Sequence, residues 1–479
     1  MIKSKERVRD FGEVFTPAWL VSDMCDLVDR EIRNTFTKIL EPCCGNGNFL
    51  VEILKRRLSI HGLSVQHIKE SLQTLYGIDI QEDNVYETKK RMHAEVVRVL
   101  NGASDEFLIE MLDIIDKNIV CADFLQDDTF AGIQFDLIIT NPPYQKNVVK
   151  KDGNKGRANA AYPEFFDRAI EYSKKKVVFL IPSRWMTKSV NGVPKIWLDK
   201  MVAARNYKVL HDYRDSRECF TGVNIELRGG VCYFLWDREY EGKCEYFYHI
   251  NKKVYKRKGF LDKYNINATI RDVRTYGIID KIIDKEGMYF KDNSFYDIVS
   301  SKSCFMHNKN IFESSWKDYN LEKTDEFQYK YYVTKQTHGV PHGFVSREQI
   351  ARNFKLVKAN KLYISAAYGG SINGKIINKP FLGEPNSLCS RSFIMIGCTP
   401  DKYDYTKEQL LNIKSYVETK FFRFLIKLLK HTQNGNRRVY RMVPMQDFDT
   451  DWTDSMLYKK YGLTDSEIEF INNEVKDGG

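Results

Sequence analysis

The chain is 479 residues long, with 74 Lys+Arg against 64 Asp+Glu and 43% apolar residues. At about 100–200 residues per domain, that length predicts two or three domains, and the ordinary composition excludes a disordered or collagen-like chain. No apolar run approaches the ~20 residues of a membrane span, no apolar stretch follows the first residues as in a secretory signal, and the 10 cysteines include no CxxC pair, so reduced thiols in a cytoplasmic protein without a metal centre are expected.

In chain order, apolar runs at 38–41, 74–79, 119–122, 135–140, 177–181, 208–213 and 230–236 predict strands. Helical patterns such as 48–61, 84–100 and 163–174 lie between them. This alternation indicates βαβ units, an α/β fold whose mostly parallel seven-stranded sheet is covered on both faces. Beyond 237–243 the strands become short and irregular, with one helix near 407–430, so an α/β domain over 1–240 and an α+β domain over 241–479 are expected. Charge divides the same way. Residues 1–240 carry 35 basic and 35 acidic side chains, whereas 241–446 carry 36 and 20. A basic second half points to a polyanionic partner.

The first strand ends in EPCCGNGNFL, where Gly45 and Gly47 occupy a strand-to-helix turn that lets a ligand approach the backbone. Asp79, in YGIDI, ends the next strand, where an acidic residue would hold ribose hydroxyls. Asp123, in CADF, ends the third strand and could accept from an exocyclic adenine amine. Each aspartate alone reads equally as a cap or loop residue. The turn is short for a pyrophosphate, and there is neither G-x-G-x-x-G nor a Walker lysine. A nucleoside without phosphate, such as S-adenosylmethionine, fits better than NAD or ATP.

The fourth strand, FDLIIT, runs into NPPY, Asn141 to Tyr144. The consecutive prolines offer no N–H, so the loop presents the Pro142 carbonyl beside the Asn141 carboxamide. Two acceptors suit an –NH₂ group whose hydrogens must both be held, and Tyr144 adds a face for a flat, conjugated substrate. Holding both hydrogens pulls the nitrogen toward tetrahedral geometry and stabilises the positive charge it gains on attack.

The ordered set FTPAWL, EPCCGNGNFL, YGIDI, CADF, NPPY resembles the adenine-N6 DNA methyltransferases of the gamma arrangement, over roughly residues 10–240. Val443–Phe448, VPMQDF, together with 432–434, resembles methylases of the Eco57I type more weakly. The resemblance implies a Rossmann-like S-adenosylmethionine methyltransferase domain followed by a target-recognition domain that binds double-stranded DNA. Its setting would be a restriction-modification system, with a cognate restriction endonuclease as partner, or an orphan methylase. It also assigns roles. Thr16 and Pro17 would start a helix, and Phe15, Thr16, Glu41, Cys43, Gly45 and Gly47 would border the methionine end of the cofactor. Asp79 and Ile80 would take the ribose, Asp123 and Phe124 the adenine, and Phe165 a further wall. Asn141, Pro142 and Tyr144 would be catalytic, with Phe220 facing Tyr144 across a flipped base.

Other readings stay open at this point. Cytosine-N4 enzymes share the architecture but more often begin the loop with Ser or Asp, so Asn141 favours adenine. Basic charge does not separate RNA from DNA. A bifunctional enzyme that also cleaves DNA would need a nuclease domain, for which the residues ahead of Phe15 are expected to be too few. Within the basic half, 252–259, 332–343 and 434–441 mix positive charge, aromatics and glycine in a way that suits phosphate and base-edge contacts. The polar segment 145–161 is expected to be mobile without DNA.

Overall fold

The computed structural model describes residues 7, 14–59, 64–100, 104–146, 159–188, 190, 192–220, 227, 229–288, 290–291, 293–307, 311–367, 376–430 and 435–475. They fall into two compact units, Met1–Val273 and Arg274–Gly479. Most of the segment 145–161 and residues 432–434 lie outside the described residues.

In the first unit the strands are β1 (Ile39–Glu41), β2 (Leu75–Asp79), β3 (Ile119–Cys121), β4 (Phe135–Thr140), the short pair β5 (Gln145–Lys146) and β6 (Asn159–Ala160), then β7 (Ser173–Pro182), β8 (Tyr207–Tyr213), β9 (Val231–Asp237), β10 (Cys244–Ile250) and β11 (Lys253–Gly259). All but β5 and β6 form one sheet in the order β11-β10-β8-β9-β7-β4-β1-β2-β3. Its central pairs are parallel, while β9 and β11 run antiparallel to their neighbours.

Side chains alternate across the strands. Leu137 and Ile139 enter one core cluster and Ile138 the other, so the sheet is packed on both faces. β9 is buried at every position, which is why VCYFLWD reads as an unbroken apolar run.

All seven expected strands are present, and the sheet has two more. The hairpin β10–β11 extends it beyond residue 240, pairing β10 in parallel with β8. The unit therefore ends at Val273 rather than near 237–243. The stretch 252–259 thus lies on an edge strand of this sheet, not in the second domain. Its lysines are exposed, as edge strands that resist pairing with other chains commonly are. A buried cluster anchors the chain after the hairpin: Arg271 donates from Nε and Nη2 to Asp212 (2.7 and 2.6 Å), and both side chains are fully buried.

The second unit is α+β. It holds β12 (Tyr329–Tyr332), β13 (His342–Val345), β14 (Lys361–Ser365), β15 (Phe381–Gly383), β16 (Ser387–Cys389) and β17 (Phe393–Ile396), arranged as the three-stranded sheets β13-β12-β16 and β15-β14-β17. Tyr331, Tyr363, Leu388 and Met395 centre its core. The helix expected near 407–430 is two helices, Lys407–Glu418 and Lys420–Leu429. Thr419 is extended between them, and its hydroxyl caps the second helix by accepting from Phe422 N (3.1 Å). The Asp454 carboxylate takes the next two free N–H groups, of Lys420 and Phe421.

Candidate active site

The chain leaves β1 to form β2 on one side and later β4 on the other. In open α/β sheets the crevice at such a switch point, beyond the strand C-termini, is where ligands bind. A cavity of about 400 Å³ occupies it, within the usual range for small-ligand sites. Phe15, Thr16, Glu41, Cys43, Gly45, Asp79, Ile80, Asp123, Phe124, Asn141 and Phe165 all line it.

The glycine turn is built for close approach. Gly45 has φ +53°, and an added Cβ would sit 3.1 Å from the Phe15 ring. Gly47 departs from expectation because it does not line the cavity. It takes φ +83° at the entry to the helix Asn48–Leu58, where a Cβ would meet Thr88 at 2.9 Å. Its role is to let the helix pack on Thr88.

Asp79 holds the turn together. Its carboxylate accepts from Gly45 N (2.8 Å) and Gln81 N (2.9 Å), and from the Asn84 amide (3.2 Å). Burial pushes its carboxyl above the usual range, against the pull of those donors. Asp79→Ala removes the brace and with it a carboxylate that lines the cavity. We expect cofactor affinity to fall by about 10–100-fold, the loss of one or two charge-assisted hydrogen bonds, as titration calorimetry would show. Asp79→Asn should also weaken binding, because a carboxamide cannot accept from both backbone N–H groups.

Glu41 is 2% exposed, and its Oε2 has no partner among the described residues. Burial first, and the Asp79 charge second, raise its carboxyl well above the usual range. Phe124 and Phe165, both lining the cavity, stack with centroids 5.9 Å apart. Asp123 faces the cavity while its carboxylate accepts from Leu125 N (2.9 Å), so it is a loop brace as well as a lining residue.

Thr16 does not cap its helix. The helix begins at Ala18 with Pro17 at the cap position, and the Thr16 hydroxyl instead accepts from Asn141 Nδ2 at 3.1 Å. The second Asn141 donor goes to the Val14 carbonyl, also at 3.1 Å. Asn141 Oδ1 is left buried with no partner among the described residues. Pro143, but neither Pro142 nor Tyr144, lines the cavity.

Tyr144 and Phe220 are 9% and 1% exposed and share one apolar core cluster. Both rings are therefore buried in the core and present no open face to a flipped base. The Tyr144 hydroxyl is buried without a partner among the described residues, and burial raises it well above its usual range. Sequence reasoning missed Val14, Asn48, Asn84 and Glu164 as lining residues. Only Asn48 carried a signal, as the residue that follows the glycine turn at the start of a helix.

In the second unit, 332–343 spans the end of β12, a helical turn at Lys335–His338 and the start of β13. In the 434–441 stretch the Arg437 guanidinium stacks 3.9 Å from the Tyr296 ring centroid and donates to the Tyr296 carbonyl. Arg438 beside it is exposed. Among the described residues no cluster could hold a metal ion, all ten cysteines are free, and no helix is long and apolar enough to cross a membrane.

An uncharacterized adenine-specific methylase of Mycoplasma pneumoniae is 37% identical over 115 residues, 24% of this chain and 26% of that protein. The type II methyltransferase M.VspI of Vibrio sp. (strain 343) is 30% identical over 142 residues, 29% of this chain and 27% of its own. The chain thus spans about a quarter of the length of these curated relatives. A cryoEM structure of a DrdV–DNA complex shares the fold, with a TM-score of 0.52 and 12% identity over 93% of this chain and 57% of that one. Residues 73–220, from the end of the helix before β2 to Phe220, match the Eco57I restriction-modification methylase model, and it is this part of the chain that is similar to that family.

Proposed function

We propose that this chain transfers a methyl group from S-adenosylmethionine to N6 of adenine at a specific site in double-stranded DNA, in a restriction-modification setting. One observation carries the reading: Asn141, whose Oδ1 is buried with no partner among the described residues, lines the same cavity as Gly45, Asp79 and the Phe124–Phe165 pair.

The residues present fit the cofactor. A side chain at Gly45 would press on the Phe15 ring beside the turn, and Glu41 offers a carboxyl oxygen without a partner among the described residues for the positively charged methionine end. Asp79 Oδ2, which among the described residues accepts only from Gly45 N, retains one lone-pair site for a ribose hydroxyl, and the aromatic pair offers a face for adenine. The cofactor, when bound, supplies an electrophilic methyl group. The protein's own contribution is to the acceptor nitrogen. Asn141 Oδ1 takes one amine hydrogen, and the Pro142 carbonyl, which does not line the cavity as it stands, would have to turn toward it to take the other; together they localise the lone pair and stabilise the developing positive charge. The second unit would serve as the target-recognition domain, with a basic surface that grips phosphates. The relatives named as adenine-specific and type II methyltransferases support DNA adenine as substrate.

Single-molecule sequencing of host DNA with and without the gene tests this reading. One recurring motif carrying N6-methyladenine is expected; modified cytosine, or methylation of RNA alone, would refute it. With the motif known, 2-aminopurine at the target position should brighten on binding, because the target must leave the stack to reach Asn141. If Tyr144 leaves its core cluster to stack on the extruded base, Tyr144→Ala should brighten the probe further and slow methylation by about tenfold, the loss of roughly 1–3 kcal/mol of base stacking. A probe that stays dark in both proteins would mean that the base is not extruded.

A further inference from the structure

The polarity of the Asn141 side chain matters more than its position. A carboxamide turned by 180° occupies the same space but presents N–H instead of an oxygen acceptor. The structure selects one of the two orientations. Nδ2 points at the Val14 carbonyl, which can only accept, and at the Thr16 hydroxyl (both 3.1 Å), so Oδ1 is directed away from them.

Those two acceptors stand in the segment ahead of the helix Ala18–Asp26, more than a hundred residues away in sequence, and that segment must itself be held. The Thr16 carbonyl accepts from Asn48 Nδ2 at 2.8 Å. Asn48 is a carboxamide with the same ambiguity. Arg91, half-buried on the helix Glu82–Val99, resolves it: its Nη1 donates to Asn48 Oδ1 at 2.8 Å and to the Asn46 carbonyl. A guanidinium has no acceptor and does not deprotonate, so it can meet only the oxygen of Asn48. From there the hold passes on as position: Arg91 fixes Asn48, Asn48 holds the Thr16 backbone, and that backbone carries the Val14 carbonyl and the Thr16 hydroxyl to the Asn141 amide.

We infer that Arg91 is a positioning residue for the Asn141 carboxamide, acting through Asn48 and Thr16 without touching either substrate. This rests on the proposed methyl transfer, in which Asn141 Oδ1 must face the amine. Misorientation of a reacting group costs up to about 10²-fold in rate, so Arg91→Met should slow single-turnover methyl transfer by roughly tenfold to a hundredfold. Affinity for duplex DNA should not change.

The test is a cycle of Arg91→Met, Thr16→Val and the double variant, read as single-turnover rate and as cofactor affinity by calorimetry. Residues acting in one chain are not additive. The double variant should be within about threefold of the slower single variant, and Thr16→Ser, which keeps the hydroxyl, should restore the rate. Losses that multiply, or a loss confined to cofactor affinity, would overturn the inference. A second readout does not depend on catalysis. In protein labelled with ¹⁵N at asparagine, the Asn141 carboxamide signals, assigned through Asn141→Ala, should shift in Arg91→Met. Signals that stay in place would overturn the inference even if the parent transfers no methyl group, whereas an inactive parent whose signals shift would sink only the functional reading.

Discussion

Asn141→Ala should lower the single-turnover rate of methyl transfer by about 10²–10³-fold, the cost of removing one preorganised group from a developing charge. Cofactor affinity should stay within about threefold of the parent, because the lost interaction is one realised in the transition state. An amine nitrogen delocalised into a purine ring is a poor nucleophile. Its lone pair becomes available only as both hydrogens are drawn out of the ring plane toward acceptors. Asn141 Oδ1 is placed for one of them, buried and without a competing donor among the described residues. Alanine leaves nothing there, and it also frees the Val14 carbonyl and the Thr16 hydroxyl that held the amide. Asn141→Asp separates the two effects. It keeps an acceptor oxygen but sets a carboxylate against the Val14 carbonyl, so an intermediate rate is expected. Isothermal calorimetry beside rapid-quench kinetics makes the measurement. A rate within a few-fold of the parent would remove Asn141 from the chemistry.

What could be read in advance follows from how local each signal was. β4 and β9 lie in the middle of a sheet covered on both faces, so they read as continuous apolar runs. The turn at Gly45, Asp79 and the NPPY loop were visible because each stands at the end of such a run. β11 was hidden because an edge strand carries lysine where a central strand carries valine. Thr16 looked like a helix cap because its neighbours do, yet its partner is Asn141, 125 residues away. Gly47 was read as a cradle, but its missing side chain makes room for Thr88 on another helix. The packing of Tyr144 and Phe220 into one cluster has no counterpart in residue type or spacing. Contacts of this range depend on the assembled fold, and a pattern along the chain does not carry them.

The largest effect on stability is expected at Arg271. Its guanidinium forms a double hydrogen bond to Asp212 and donates from Nη1 to the Gly229 carbonyl at 2.6 Å. Asp212 also accepts from Ser183 Oγ (2.7 Å) and from the Tyr246 hydroxyl (2.6 Å). The cluster joins β8 and β10 to the end of β7 and the start of β9. Because β7 runs parallel to β4, Ser183 stands at the edge of the sheet that carries the NPPY loop. Removing one partner of a fully buried pair leaves the other charge uncompensated, which costs about 3–5 kcal/mol. Arg271→Met should therefore lower the midpoint of thermal unfolding by roughly 10 °C for a unit of this size. The double variant Asp212→Asn/Arg271→Met removes the stranded charge; the amide oxygen can accept from one of the two hydroxyls of Ser183 and Tyr246 while its NH₂ donates to the other, so most of the lost stability should return. The comparison distinguishes charge from packing: if the double variant unfolds below Arg271→Met alone, the arginine's volume rather than its ion pair secures this edge of the sheet.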